Sequence, residues 1–337
     1  MSLKINKTVG DISKVAFSLL LGGLILFWMY HDFKFSDIAD VVRHDMNWTW
    51  MLLSFPFGIL AQMFRGWRWS MSLEPVGEHP RHSTSINAVF LSYALSLVIP
   101  RIGEFARCGV LSRYDKVSFP KALGTVVTER AIDSLLVAFV AAFTFLWQVR
   151  VFNVFFDKTG TSIDAILSGF SPAGWAVTAV CGAAALALLW VLVRKLSIYN
   201  KVKSTIGGIW QGVMSLRKVK NVPLFIFFTL AIWGCYFLHY YLTFFCFEST
   251  AHLGMSCALV TFVVGSIAVI VPTPNGAGPW HFAVKTMLIL YGVADNNALY
   301  FVLIVHTVQT LLVVALGVYA WIALSFTKKR TAAVQTN

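Results

Sequence analysis

Long apolar runs separated by short polar stretches dominate the chain. A helix needs about 20 residues to cross a bilayer, and six runs come close to this length or exceed it: Val15–Tyr30, Trp48–Met71, Ala122–Val149, Trp175–Arg194, Val222–Phe247 and Ala298–Phe326. The first run follows three lysines, as in a signal peptide, but no small-residue cleavage site comes after it. The pattern therefore predicts six full spans, the first of them a retained helix.

Two further apolar segments are broken in the middle. Ser83–Arg113 is interrupted at Pro100 and Gly103, and Ser256–Tyr291 is interrupted by the Pro- and Gly-rich stretch 272–279. Proline lacks a backbone donor and glycine permits non-helical dihedrals, so each break ends a helix. We expect two re-entrant hairpins of half-helices, although pairs of short tilted spans fit the pattern as well. Irregular backbone inside a membrane survives only against protein or a wet cavity, and we expect the two tips to face each other.

The positions of lysine and arginine indicate the orientation of the spans. With a cytoplasmic N-terminus, the basic loop 194–221, the stretch 113–121 and the tail 328–337 all face the cytoplasm, as the positive-inside rule requires. Each half of the chain (about 14–150 and about 172–327) then reads span, span, hairpin, span with opposite orientation. This order is typical of an inverted-topology repeat, but no repeat of residues supports it, so an irregular bundle stays open. The predicted fold is a single all-α polytopic membrane domain with both termini in the cytoplasm.

Composition agrees with a membrane protein. Of 337 residues, 58% are hydrophobic and only 12% are charged, against about 25% charged in soluble domains. The net charge of +12 fits cytoplasmic loops and anionic lipid better than nucleic acid, which we do not expect as a partner. The five cysteines are scattered without disulfide or metal-ligand spacing. No cofactor or metal is predicted.

Ionisable residues inside membrane segments are functional candidates, because each costs about 2.5–3.5 kcal/mol at a helix centre. Arg101, Glu104 and Arg107 lie at the first broken tip, where the free amides of a helix start attract an anion such as a lipid phosphate. Glu104 and Arg107 are three apart and share one helix face. An internal salt bridge that only holds the hairpin is the alternative interpretation.

A second charged group, Glu129, Arg130 and Asp133, lies inside the run Ala122–Val149. Two acids and one base in a membrane helix need a basic partner, and Arg101 or Arg107 is a candidate. Such acids could carry a proton that drives transport, or bind the cationic part of a headgroup. Glu104 is a further candidate for the proton. The alternative is a position near the interface with partial burial, where the cost of charge is lower.

The second broken tip and the end of the second span supply further candidates. Arg65 and Arg68 are either interfacial anchors or a basic gate for anionic headgroups. The hypothesis for His281 is phosphate binding or titration near neutral pH. His239 and His306 lack the spacing of a zinc site, and we expect them to make hydrogen bonds between helices. The tip candidates for substrate binding are Asn275, Gly276, Gly278, Trp280, His281 and, one turn further, Lys285.

Taken in order, these motifs resemble a known family. They are Arg65 with Trp67-Arg68-Trp69, Pro100-Arg-Ile-Gly-Glu104 with Arg107, Glu129-Arg130 with Asp133, and Pro272-Thr-Pro-Asn-Gly-Ala-Gly278. The chain is similar over nearly its whole length to the lysylphosphatidylglycerol synthase transmembrane-domain family, the flippase-like part of the multiple peptide resistance factor and its stand-alone relatives. The resemblance implies a bacterial inner-membrane protein with paired re-entrant helices. It departs at His281, where the family pattern more often has a glutamate.

The expected function is that of a lipid transporter, or flippase, which moves a phospholipid or lipid-linked headgroup between leaflets. Membrane lipids are the expected substrate, and a homo-oligomer or a separate lipid-synthesising enzyme are the expected protein partners. These 337 residues hold no recognisable aminoacyl-transfer domain, so lysyl transfer is not expected. We also do not expect another enzymatic activity. The alternatives are an intramembrane enzyme with Glu104 or His281 as acid or base, and a scaffold for envelope synthesis.

Overall fold

The described residues form a helical structure without strands. This computed structural model describes residues 36–149, 219–271 and 273–330, together with 20, 23–27 and 29. Its longer helices are α1 Trp48–Leu73, α2 His82–Ser96, α3 Ile102–Asp115, α4 Phe119–Trp147, α5 Val222–Tyr241, α6 Gly254–Ala268, α7 Pro279–Leu290 and α8 Asp295–Phe326. Short helical turns cover Ser36–Asp40, Val41–Asp45, Glu74–Val76, Leu242–Cys246, Glu248–Ala251 and Pro274–Gly276.

Among the described residues, three helices are long and apolar enough to cross a membrane. They are Phe119–Trp147, Val222–Cys246 and Asp295–Phe326, which confirms three of the six predicted spans as apolar helices. Helix α1 has 26 residues, enough length for a span, but it carries charged residues in its second half. The run Val15–Tyr30 is described only at a few helical positions, and Trp175–Arg194 lies outside the described residues.

Helices α1 and α5 pack along each other. The backbone N–H of Asn47, which caps the start of α1, donates to the carbonyl of Cys246, just beyond the end of α5, at 2.8 Å. The two helices therefore run antiparallel. Gly58 makes room for the ring of His239, whose atoms would lie 3.0 Å from any Cβ at that position. The Nδ1 atom of His239 lies 2.9 Å from the Ser54 carbonyl oxygen. The expected hydrogen bond between helices is thus present.

The first broken segment folds as two helices side by side. Helix α2 has 15 residues and α3 has 14, so each is about 21–23 Å long, short of the roughly 30 Å hydrocarbon core. Gly103 lies directly against the Ser92 carbonyl, which holds the pair close. The Nε of Arg81, at the start of α2, donates to Asp115, at the end of α3, at 2.6 Å. Both outer ends of this hairpin therefore lie on one side of the molecule.

The second broken segment also divides into two short helices. Helix α6 has 15 residues and α7 has 12, and they pack together. The link contains Asn275 in the left-handed region, with φ of 53°, a conformation that asparagine tolerates better than most residues. Both predicted helix breaks are confirmed, and the re-entrance of the hairpins stays a prediction.

The packing of the two halves is matched. Between the halves, α2 packs against α8, and correspondingly α6 packs against α4. Within the halves, α3 contacts α4, and correspondingly α7 contacts α8. The same correspondence relates the pair α1–α2 to the pair α5–α6. Most contacts in the first half thus have a counterpart in the second, but the contact between α1 and α4 has none of similar extent between α5 and α8.

Candidate functional site

The charged candidates of α1 and α4 meet inside the helix bundle. Arg65 Nη1 lies 2.6 Å from Asp133 Oδ2, and Arg68 Nη2 lies 2.8 Å from Asp133 Oδ1. One carboxylate therefore binds two guanidiniums from successive turns of α1. The expectation that Asp133 has a basic partner is confirmed, but the partners come from α1 and not from the first tip.

Helix α3 adds two more ion pairs to this group. Arg107 Nη1 lies 3.0 Å from Glu129 Oε2, and Arg130 Nε lies 2.7 Å from Glu104 Oε1. Glu129 also faces Arg68, with Nε 3.4 Å from Oε1. Glu104 and Arg107 thus each pair across to α4, which confirms Arg107 as a partner of the acids. We call these seven residues, four arginines and three acids, the ion-pair cluster.

Burial separates the inner members of the cluster from the outer ones. Arg65 is 2% exposed and Arg68 and Glu129 are 0% exposed, so neither arginine is a freely exposed anchor. The side chains of Arg130 and Glu104 are 39% and 32% exposed, so partial burial holds for this outer pair. Four guanidiniums face three carboxylates, which leaves one net positive charge.

A cavity of about 390 Å³ opens beside the cluster, and we call it the polar cavity. Both halves of the chain contribute polar and aromatic side chains to its wall: Gln62, Arg65, Tyr93, Arg130, Trp233, Tyr236, His239, Tyr240, Asn275, Trp280, His306, Gln309 and Thr310. Arg65 and Arg130 are the only charged residues among the described residues of the wall. The carboxylates of the cluster do not line the cavity, but Asp133 and Glu104 pair with these two arginines at 2.6 and 2.7 Å.

The second tip reaches the polar cavity through Asn275. Its side-chain amide donates to Thr310 Oγ1 at 2.8 Å. Its backbone carbonyl oxygen accepts from His306 Nε2 at 3.1 Å. The rings of His281 and His306 are 4.5 Å apart, and Trp280 lies 5.2 Å from His306. Helix α8 therefore holds the irregular tip in place, and the expected hydrogen bond of His306 is confirmed.

The structure separates the predicted binding residues into three groups. Arg65, Arg130, Asn275 and Trp280 line the polar cavity. Glu104, Asp133 and His281 contact residues of the wall directly. The third group does not line the cavity. It comprises Arg68, Arg107 and Glu129 within the cluster, Gly276 and Gly278 in the tip, and Arg101 and Lys285.

The first tip does not reach the polar cavity. Arg101 is exposed, with φ of 65°, and the first half lines the cavity from α1, α2 and α4 instead. Lys285 pairs with Asp295 at 2.9 Å, also away from the wall. The two tips therefore do not face each other across this cavity. Helix α4 packs against α3 and contributes Arg130 to the wall, in the place where the sequence predicts the first tip.

Two tyrosines of the wall were not among the predicted residues. The hydroxyl of Tyr236 on α5 donates to that of Tyr93 on α2 at 3.0 Å, and the Arg65 guanidinium lies 5.9 Å from the Tyr236 ring centre. Tyrosine is also frequent where helices meet the membrane interface. The sequence alone therefore gave no signal that separated these two from the other aromatics.

Comparison with known families gives a match to residues 15–317, in the family described as the lysylphosphatidylglycerol synthase TM region. No curated protein and no solved structure matches the chain. The match covers the ion-pair cluster, the whole lining of the polar cavity and every described helix except the end of α8 beyond residue 317. It agrees with the resemblance carried by the motifs at Arg65–Trp69, Pro100–Arg107, Glu129–Asp133 and 272–278. The chain belongs to the lysylphosphatidylglycerol synthase transmembrane-region family.

Proposed function

We propose that this protein moves a lipid with an anionic headgroup between the leaflets of a membrane. The observation that carries the proposal is the polar cavity, whose described wall has two arginines and no acid. Membership of a lipid-related membrane family supports a lipid as the ligand. The reaction has no covalent step, so the protein is a transporter and not an enzyme.

The chemistry of the wall favours a phosphate group. A guanidinium offers parallel N–H donors that match phosphate oxygens, and it stays charged when buried. The Nε of Arg65 is buried without a hydrogen-bond partner among the described residues. The hydroxyl and amide groups of Tyr93, Gln309 and Thr310 can complete the shell around a polar headgroup. A phospholipid or another lipid-linked phosphate fits this set.

The matched packing of the two halves supports transport by alternating access. In inverted repeats, a central site opens to either side as one half rocks against the other. The polar cavity lies between the halves, with Arg65 and Arg130 from the first and Asn275 and His306 from the second. An inverted repeat with two re-entrant hairpins is therefore the architecture that we propose.

The distribution of charge supports a cytoplasmic C-terminus. Arg330 donates to the carbonyls of His79 and Tyr114, so the tail lies beside the outer ends of the first hairpin. Lys121 pairs with Glu78 on this same side. This basic side faces the cytoplasm under the positive-inside rule, and we propose a bacterial inner membrane as the location.

The test is a leaflet-translocation assay with purified protein in liposomes. We expect wild-type protein to move labelled phosphatidylglycerol and Arg130→Gln to lose this activity, because it removes one of two positive charges from the wall. Arg113→Gln is the matched control, since Arg113 is exposed at the end of α3 and outside the wall. Folding is checked by thermal unfolding of each variant.

The outcome also separates the other functions. Equal rates for wild type and Arg130→Gln would contradict the proposal. A chemically modified lipid recovered from the liposomes would favour an intramembrane enzyme. A phenotype in cells that persists in Arg130→Gln and in Glu104→Gln would favour a scaffold.

A further inference from the structure

A second cavity of about 230 Å³ lies between α4, α5 and α6, and we call it the apolar slot. Its walls are formed mostly by hydrocarbon, including Leu136 and Val140 from α4, Leu230 and Phe237 from α5, and Leu259 from α6. Ser266 also borders it, but its hydroxyl donates to the Phe262 carbonyl at 2.7 Å. The slot therefore offers a ligand little besides apolar contact.

The apolar slot adjoins the polar cavity. Trp233, Phe262 and Ser266 line both of them. At this junction the indole Nε1 of Trp233 is buried and has no hydrogen-bond partner among the described residues. A buried donor without a partner is costly, so this position favours a ligand atom that accepts a hydrogen bond.

We infer that the apolar slot holds an acyl chain of the transported lipid. This inference rests on the proposed function, in which the headgroup occupies the polar cavity. From the polar cavity to the apolar slot, the chemical groups of the walls are the guanidinium of Arg130, the indole donor of Trp233 and then hydrocarbon. That order matches phosphate, ester carbonyl and acyl chain in a glycerophospholipid. The gap between α4 and α5 is then the lateral path by which the tail stays with the headgroup.

Gly234 gives a direct way to fill the slot. It lines the slot, and a Cβ placed there meets no atom within 4 Å. Gly234→Leu therefore adds a side chain to open space instead of forcing helices apart. Gly124→Leu is the matched control, because Gly124 on α4 is exposed, equally free of neighbours and outside both cavities.

The experiment uses phosphatidylglycerol with a photoreactive diazirine in one acyl chain. Purified protein in liposomes is irradiated, and adducts are mapped by mass spectrometry. We expect adducts at Leu136 and Phe237 in wild type, their loss in Gly234→Leu and their retention in Gly124→Leu. Adducts at Leu135 and Phe139, which are 72% and 71% exposed, report the surrounding bilayer and stay constant in every variant.

Transport by the same preparations keeps the two proposals distinct. Slot labelling that is absent in wild type, or unchanged in Gly234→Leu, overturns the acyl-chain site even where transport occurs. Slot labelling that Gly234→Leu removes, in a protein that moves no lipid, supports the acyl-chain site and contradicts the transport function. If Gly234→Leu does not fold, Val140→Trp fills the slot from α4 and gives the same two outcomes.

Discussion

Asp133 is the residue on which the inner part of the ion-pair cluster depends. It accepts from both Arg65 and Arg68, whose side chains are only 2% and 0% exposed. Removing one member of a buried pair costs about 3–5 kcal/mol, because an uncompensated charge remains. We therefore expect Asp133→Asn to lower the free energy of unfolding by about this amount, measured by denaturant titration in detergent.

The control for Asp133 is an exposed ion pair. Lys121 and Glu78 lie 2.9 Å apart, but the lysine side chain is 50% exposed. Exposed pairs contribute up to about 1 kcal/mol, so Glu78→Gln should change stability by less than this. Similar effects of the two substitutions would show that water reaches the cluster.

Trp233 provides a second prediction at the scale of one residue. Trp233→Phe keeps an aromatic ring at the junction of the two cavities and removes its N–H donor. We expect the variant to move ester-linked phosphatidylglycerol more slowly than wild type does. Ether-linked analogues lack the carbonyl acceptor, so their rate should be the same in both proteins. A variant that slows both lipids equally would indicate a packing defect instead.

At the scale of single residues, the sequence predicted which residues belong to the site better than it predicted which of them contact each other. Charges inside apolar runs must find partners, and this reasoning selected the five members of the ion-pair cluster on α3 and α4. Arg65 and Arg68 were selected on other grounds, as interfacial anchors or a basic gate. The reasoning did not give the pairing of Glu104 with Arg130. It offered Arg107 as a partner of the acids without choosing Glu129 over Asp133. Those pairs depend on how α3 lies against α4, which is a tertiary property. The tyrosine pair at Tyr93 escaped notice for the same reason.

Among the elements, helices α1 and α2 make a contact that tolerates no side chain. A Cβ on Gly66 would lie 2.7 Å from the Cα of Ile86, so one backbone would have to move. Overpacking of this kind costs about 1–3 kcal/mol. Gly66→Ala should lower the unfolding free energy by that amount and loosen the wall that carries Arg65.

Gly109 on α3 is the matched glycine for this test. No atom lies within 4 Å of a Cβ placed there, so Gly109→Ala should be neutral, or stabilising by up to about 1 kcal/mol through helix propensity. A loss of stability in Gly109→Ala as large as in Gly66→Ala would contradict the packing argument. Denaturant titration of both variants in one detergent makes the comparison.

The helix breaks could be predicted from the sequence because proline and glycine act locally. The breaks at 97–101 and 269–278 both follow from that chemistry. The position of the first tip could not be predicted, since it depends on α4 lying beside the hairpin. Arg101 therefore stands outside the polar cavity, although its neighbours Glu104 and Arg107 belong to the ion-pair cluster.

For the whole molecule, the matched packing of the halves has a consequence for access to the cavity. Alternating access requires the polar cavity to open toward each side of the membrane in turn. A site that opens to one side only would suit an enzyme or a receptor. In the first case a water-soluble reagent reaches the cavity from both sides of the membrane. In the second case it reaches the cavity from one side only.

Thr310 is a suitable reporter of that access, because it lines the polar cavity and accepts from Asn275. In a background without the five native cysteines, we expect Thr310→Cys to react with a membrane-impermeant maleimide in both right-side-out and inverted vesicles. Exposed Lys121→Cys and Glu248→Cys, at opposite ends of the bundle, should each react in one orientation only. The Lys121 site lies beside the basic C-terminal side, so its orientation also tests the proposed topology. Reaction of Thr310→Cys from one side alone would contradict alternating access, even if a lipid binds in the cavity.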